Sequence, residues 1–156
     1  MSRATRARTD VIGSFCRRTA ALPPATGVSQ DIFSTTGTIL VTGFYGLVTV
    51  ATANVVLTLA LDHDPDAGAS DVALGTAITI QNKPVGTWYG LNPTAGGALV
   101  TTLDAAYGVA LATPIALTAG DLKLTAAGGG AVGTTARIEW GVLWVPLSAD
   151  GAVVAV

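Results

Sequence analysis

Residues 136–147, ARIEWGVLWVPL, alternate with a period of two, and this pattern predicts a β-strand. Successive side chains of an extended strand point to opposite faces, whereas a helix places apolar residues three and four positions apart. One face is apolar throughout, and we expect it to line a core. Its members are Ile138, Trp140, Val142 and Trp144. The opposite face begins charged but becomes apolar at Leu143 and Val145, so we expect these two residues to contact a neighbouring subunit.

Short segments of the same kind recur along the chain from residue 37 onward. They span residues 37–51, 54–64, 71–80, 86–91, 98–105, 108–117 and 121–127. Clusters of Gly, Pro, Asn and Asp separate them, and no amphipathic stretch of residues 31–156 predicts a long helix. With the final stretch, about eight or nine strands are expected. We therefore predict an all-β fold, an antiparallel two-sheet sandwich of the jelly-roll type.

The composition favours a subunit of an assembly. Hydrophobic residues make up 50% of the chain and charged residues only 12%, and the mean hydropathy is +0.57. The most apolar stretch, residues 48–61, is interrupted by Thr and Asn, so no membrane span is expected. The many β-branched residues argue against disorder. A folded chain with so few charges exposes apolar surface, and we expect the contacts of a homo-oligomer to bury it.

Positive charge is concentrated at the start of the chain. Five arginines lie in the first 18 residues, at Arg3, Arg6, Arg8, Arg17 and Arg18. After them, Pro23, Pro24 and Gly27 predict a linker. We therefore predict a basic arm and hinge over residues 1–30 and an acidic β-domain over residues 31–156. The arm is expected to dock on an acidic protein; nucleic acid is disfavoured because the acidic body would repel it.

The sequence offers few groups for catalysis. His63 is the only histidine, Glu139 the only glutamate and Cys16 the only cysteine. No nucleophile-elbow motif is present, and the glycine runs lack the Lys-Ser/Thr pair of a phosphate loop and the following helix that a dinucleotide site needs. We expect neither an enzyme nor a bound cofactor.

The segment DHDPD, residues 62–66, has two interpretations. Asp62, Asp64 and Asp66 alternate, and their carboxylates are ligands that Ca²⁺ prefers. The spacing departs from the helical calcium loop, because Ala67 and Ala73 stand where that loop has Gly and Glu. We favour a solvated acidic turn between two strands and keep calcium as the alternative.

The tryptophans also have two interpretations. Trp140 and Trp144 share one strand face, and Trp88 and Tyr89 lie beside a predicted turn. Aromatic clusters stack on sugars in some proteins, but more often they fill a core or a subunit interface. We favour packing.

The C-terminal stretch IEWGVLWVPLSADGAVVAV, residues 138–156, resembles the end of small structural proteins of tailed bacteriophages. The stretches ILVTGFYGLVTVA (39–51), GTAITI (75–80) and VGTWYGL (85–91) occur in matching order, and the resemblance covers residues 33–156. It implies a β-sandwich virion component such as a capsid decoration (cement) protein, commonly a homotrimer. No residue role is carried over.

From this resemblance we expect a protein made in the cytoplasm of a host bacterium and placed on the capsid surface. Its partner would be the major capsid protein, reached by the arm arginines. The closing residues, including Val153 and Val154, would extend the subunit interface as an added strand. Two alternatives stay open: a tail, fibre or spike module that binds a host receptor or glycan, and a non-viral self-assembling or adhesive β-protein.

Overall fold

The computed structural model of the chain describes residues 13–22, 27–54, 56–68, 70–91, 100–102, 110–128 and 135–156. Within these residues the chain is built of strands joined by turns. In order they are β1 (Ser14–Ala21), β2 (Ser29–Thr36), β3 (Ile39–Val50), β4 (Leu57–Pro65), β5 (Val72–Thr79), β6 (Trp88–Gly90), β7 (Val100–Thr102), β8 (Ala110–Leu117), β9 (Gly120–Gly128), β10 (Arg137–Pro146) and β11 (Ala152–Ala155).

The strands form two antiparallel sheets. Sheet A has the order β1-β10-β3-β6-β7, and β8 pairs with β3 beside this path. Sheet B has the order β11-β2-β9-β4-β5. Apolar side chains from both sheets form one core between them. The predicted all-β, antiparallel two-sheet sandwich is confirmed.

Strand alternation explains which side chains enter the core. On β10, every second residue is buried, and the buried set contains the four predicted residues Ile138, Trp140, Val142 and Trp144. On sheet B, β4 and β9 contribute in the same way. Their buried members are Leu57, Leu59 and Leu61, and Leu122, Leu124 and Ala126. The outward-facing residues of β4 and β9 between these positions are Thr, Asp, Lys or Ala, which gives sheet B a clean inside and outside.

Trp140 occupies the middle of the core. Its indole ring lies 5.5 Å from the ring of Phe44 and 6.2 Å from the ring of Tyr89, centroid to centroid. Gly46 is its neighbour on β3, and a β-carbon at that position would meet the indole ring. A glycine on β3 therefore makes room for the largest side chain of the core.

The N-terminal boundary differs from the prediction. Residues Ser14–Ala21 were expected in a basic arm, but they form β1, which pairs with β10 along its whole length, and β2 already begins at Ser29. An edge strand needs to bury only one side, so β1 carries two arginines and still belongs to the sheet. The sandwich therefore begins well before residue 31. Residues 1–12 lie outside the described residues, and an arm there stays a prediction.

The acidic segment at residues 62–66 was predicted as a turn, although the predicted strand segment 54–64 overlaps its first half. Strand β4 runs through Pro65, so Asp62 and Asp64 lie on its outer side and His63 on its inner side, while Asp66 follows in the turn. Outer positions of a sheet tolerate charge, so the carboxylates of Asp62 and Asp64 are compatible with a strand.

Candidate functional site

The five predicted arm arginines fall into three groups. Arg3, Arg6 and Arg8 lie outside the described residues. Arg17 is exposed on the outer side of β1. Arg18 points the other way, and its Nη1 donates a hydrogen bond of 2.5 Å to the carbonyl oxygen of Asp31. Arg18 therefore ties β1 to β2 within the chain, which does not suit the docking role predicted for it.

The outer side of sheet A carries a row of three aromatic rings that crosses its strands. The ring of Phe15 on β1 lies 6.2 Å from that of Tyr45 on β3, with 12° between their planes. The ring of Trp88 on β6 lies 5.3 Å from Tyr45 on the other side. Phe15 is half exposed and Trp88 partly so. We name this surface, with its neighbours Leu47 and Leu143, the aromatic face.

Tyr45 is the centre of the aromatic face. It pairs with Gly141 on β10, and a β-carbon on Gly141 would meet the tyrosine ring, so the ring lies over this glycine. Its hydroxyl donates a hydrogen bond of 3.1 Å to Oε1 of Glu139. Burial raises the pKa of Tyr45 to about 12, and the hydrogen bond and negative charge of Glu139 act in the same direction. The phenol therefore stays a neutral donor.

Two charged side chains, Arg17 and Glu139, lie beside Tyr45 on the aromatic face. Arg17 is the cross-strand neighbour of Gly141, and Glu139 lies two residues further along β10 on the same side, beside Thr19 and Leu47. Arg17 is close enough to Tyr45 to oppose the rise of its pKa. One cation and one anion thus lie diagonally across from each other beside the ring of Tyr45.

The four residues predicted at an oligomer interface separate into two groups. Leu143 and Val145 are half-buried on the outer side of β10, and Leu143 pairs with Phe15 at the edge of the aromatic face. Val154 is exposed on β11. Val153 is 8% exposed and belongs to the chain's own core, so its assignment to the interface is wrong. Alternation along β11 allows only one of these two neighbours to face outward.

The outer side of sheet B has the opposite character. Its polar residues include Thr58, Asp62 and Asp64 on β4 and Asp121, Lys123 and Thr125 on β9. Lys123 Nζ lies 3.0 Å from Asp64 Oδ2 and 2.7 Å from Asp71 Oδ2. These two contacts raise the pKa of the Lys123 ammonium, with the hydrogen bond to Asp71 the largest cause. The two sheets therefore present different surfaces, one aromatic and one polar with excess negative charge.

The same contacts account for the candidate calcium ligands. Asp64 pairs with Lys123, and Asp62 accepts a hydrogen bond of 2.9 Å from the Thr125 hydroxyl. Among the described residues, no group of three or more His, Cys, Asp or Glu side chains has an arrangement that could hold a metal ion. Lys123 takes the place that a cation would have beside Asp64.

His63 faces the core side of sheet B. It is almost fully buried, and its Nε2 lies 3.2 Å from the carbonyl oxygen of Thr118, which accepts the N–H of the neutral ring. Burial lowers the pKa of His63, and Thr118 and Asp64 offset part of this effect. Its geometry is that of a satisfied core histidine.

The sequence did not single out Phe15 or Tyr45. The alternation of β3 indicates that Tyr45 and Leu47 share a side, but only the pairing of β3 with β10 and β6 brings Tyr45 beside Trp88 and Glu139. Of the two predicted aromatic neighbours near the turn, Tyr89 is buried and Trp88 faces outward.

The described part of the chain has no helix with the length and hydropathy of a membrane span. Comparison with protein-family models, with curated proteins and with solved structures finds no match to this chain. The resemblance to structural proteins of tailed phages therefore stands on the sequence features alone.

Proposed function

We propose that the chain is a non-enzymatic structural protein of a tailed-phage virion, a decoration subunit that binds the major capsid protein on the surface of the head shell. The observation that carries this proposal is the aromatic face. Phe15, Trp88 and Leu143 form a partly exposed apolar surface on a chain that has few charges. A protein that acts through contacts with other proteins needs such a surface and needs no catalytic group.

The two outer sides of the sandwich suit a subunit on a shell. The polar side of sheet B, with Asp62, Asp121 and Lys123, suits contact with solvent. The aromatic face suits contact with protein. Arg3, Arg6 and Arg8 precede β1, and we propose that they pair with carboxylates of the major capsid protein.

Co-sedimentation with bare capsids tests this proposal. The full chain is compared with the variant R3Q/R6Q/R8Q, which keeps β1, whereas a truncation at Gln30 would remove that strand. We expect the full chain to pellet with capsids and the variant to bind at least about tenfold more weakly, with a smaller dependence on salt.

A matched control replaces Lys83, a cation between β5 and β6, by Gln. This variant should bind capsids like the original chain. Failure of the original chain to bind, or equal weakening by K83Q, would contradict the proposed role of the arm.

A tail, fibre or spike module that binds a glycan is the second candidate. It is favoured by the partial exposure of Trp88 and Phe15 at the two ends of the aromatic row. Sugar stacking on Trp88 would change its fluorescence on addition of oligosaccharides of the host surface, and Trp88→Phe would abolish that change. No fluorescence response to those sugars would remove this candidate.

A further inference from the structure

The aromatic face is a partly exposed apolar surface that spans several strands of sheet A. It extends across β1, β10, β3 and β6, and its centre is the ring of Tyr45 over Gly141. At about 4.8 Å per strand and 3.3 Å per residue, the lengths of these four strands give an area on the order of 500 Å². Two such faces bury about 1,000 Å², which is about the smallest area expected of a specific protein contact.

We propose that the aromatic face binds the aromatic face of a second copy of this chain, with the two copies related by a two-fold axis. This contact deepens the proposed structural role: it gives the aromatic face to a second copy of the chain and leaves contact with the capsid to the basic arm proposed above. It assigns the outward Leu143 of β10, together with Phe15 and Trp88, to one surface.

The position of the two charges supports a like partner. The register places Arg17 beside Gly141 and Glu139 two residues along β10, so the two charged residues lie diagonally on neighbouring strands. A two-fold axis that lies between the copies and passes over Gly141 and Tyr45 brings Arg17 opposite the partner's Glu139, and Glu139 opposite the partner's Arg17. In an isologous contact of this kind, the pair of Arg17 with the partner's Glu139 forms twice, once on each side of the axis.

The same axis also brings apolar residues of the two copies opposite each other. Phe15 lies at one end of the aromatic row, and Leu47 and Trp88 lie at the other end. The rotation turns Phe15 toward the partner's Trp88 and the partner's Leu47. Each exposed ring thus meets an apolar surface, while the centre of the contact is the buried ring of Tyr45.

The rings favour a protein partner over a sugar. Their centroids are only 5.3 and 6.2 Å apart, so Tyr45 lies in contact with Phe15 and Trp88 and its ring is largely covered. Rings that pack against each other in this way form a small apolar cluster, which a second apolar surface completes.

Sedimentation equilibrium of the full chain and of Phe15→Asn tests the contact. We expect a particle of about twice the chain mass of 15.6 kDa, and a loss of affinity of about tenfold or more in the variant. The matched control is Val72→Asn, since Val72 is as exposed as Phe15 and begins the edge strand of sheet B. A monomer, a trimer, or equal weakening by both variants would overturn the proposal.

A mixing experiment isolates the charge pairs between copies. The variant Arg17→Glu carries two acids at these positions and the variant Glu139→Arg carries two bases, so each should self-associate at least about tenfold more weakly. An equimolar mixture should form mixed dimers, because every pair across the axis is then opposite in charge. A mixture that associates as weakly as each variant alone would overturn the two-fold arrangement. If Glu139→Arg does not fold, sedimentation of Phe15→Asn still tests the contact.

Capsid binding is a separate measurement. A chain that binds capsids as a monomer retains the proposed structural role and rejects the two-fold contact. A chain that forms the dimer but does not bind capsids retains the contact and rejects the decoration role. A fluorescence change with oligosaccharides on a monomeric chain would overturn the dimer in favour of a glycan site.

Discussion

Two glycines on neighbouring strands accommodate large aromatic rings on opposite sides of sheet A. Gly46 lies beneath the indole of Trp140 on the core side, and Gly141 lies beneath the ring of Tyr45 on the outer side. In both places the absence of a side chain allows a ring to rest on the backbone of the adjacent strand. The packing on both sides of β10 therefore depends on residues that themselves contribute little apolar surface.

Replacement of Gly141 by Ala should destabilise the chain by about 1–3 kcal/mol, because the new β-carbon forces the Tyr45 ring from its position. Urea unfolding measures the change. In a Tyr45→Ala background the obstacle is gone, and the same replacement should cost much less. An equal cost in both backgrounds would show that the ring is not what confines Gly141.

Replacement of Trp140 by Ala should cost about 3–5 kcal/mol, since it removes a fully buried ring that packs against Phe44 and Tyr89. The free energy of unfolding in urea measures this loss. Thr58→Ala, on the outer side of sheet B, serves as a control with a small effect. An unchanged unfolding midpoint in Trp140→Ala would contradict its central place in the core.

His63 predicts a dependence of stability on acid pH. In the unfolded chain its pKa returns to about 6.5, whereas burial lowers it in the folded chain. The unfolded state thus binds the proton first, so stability is complete above pH 6.5 and falls as the pH drops toward the lowered folded value. Measured between pH 7.5 and 5, His63→Gln should show a shallower loss; identical pH profiles would contradict this account.

At the scale of the strands, the neighbouring edge strands β1 of sheet A and β11 of sheet B should contribute unequally to stability. β1 pairs with β10 over eight residues, while β11 pairs with β2 over four. Removal of residues 1–21 should therefore lower the thermal unfolding midpoint much more than removal of residues 152–156. It would also leave β10, with its apolar side chains, at an exposed edge. Equal midpoints for the two deletions would contradict an integral β1.

Strands whose two sides differ in polarity could be predicted from the sequence. β10 was predicted with its core side, since Trp140 and Trp144 alternate with Glu139 and Leu143. β1 was missed because Arg17 and Arg18 resemble a solvated arm, and Arg18 finds its partner only through the contact with Asp31. The aromatic face was also missed, because which strands pair is set by tertiary structure and local alternation does not reveal it.

At the scale of the whole molecule, the strands in the middle of each sheet should be the most protected from exchange with solvent. β10 lies between β1 and β3, and β9 lies between β2 and β4. Hydrogen exchange followed by mass spectrometry should give the slowest amides in β10 and β9 and faster ones in β11. Amide exchange in β10 as fast as in β11 would contradict this order of strands within the sheets.

The pairing of β1 with β10 has a consequence for synthesis of the protein. Arg17 lies beside Gly141, and Tyr45 lies on the other side of the same glycine, so three distant parts of the chain meet at one point. On a ribosome, β1 and β3 emerge long before β10, the strand that pairs with both of them. The apolar residues of the nascent chain therefore stay exposed to solvent until β10 is available. We expect slow folding that begins only after β10 has left the exit tunnel.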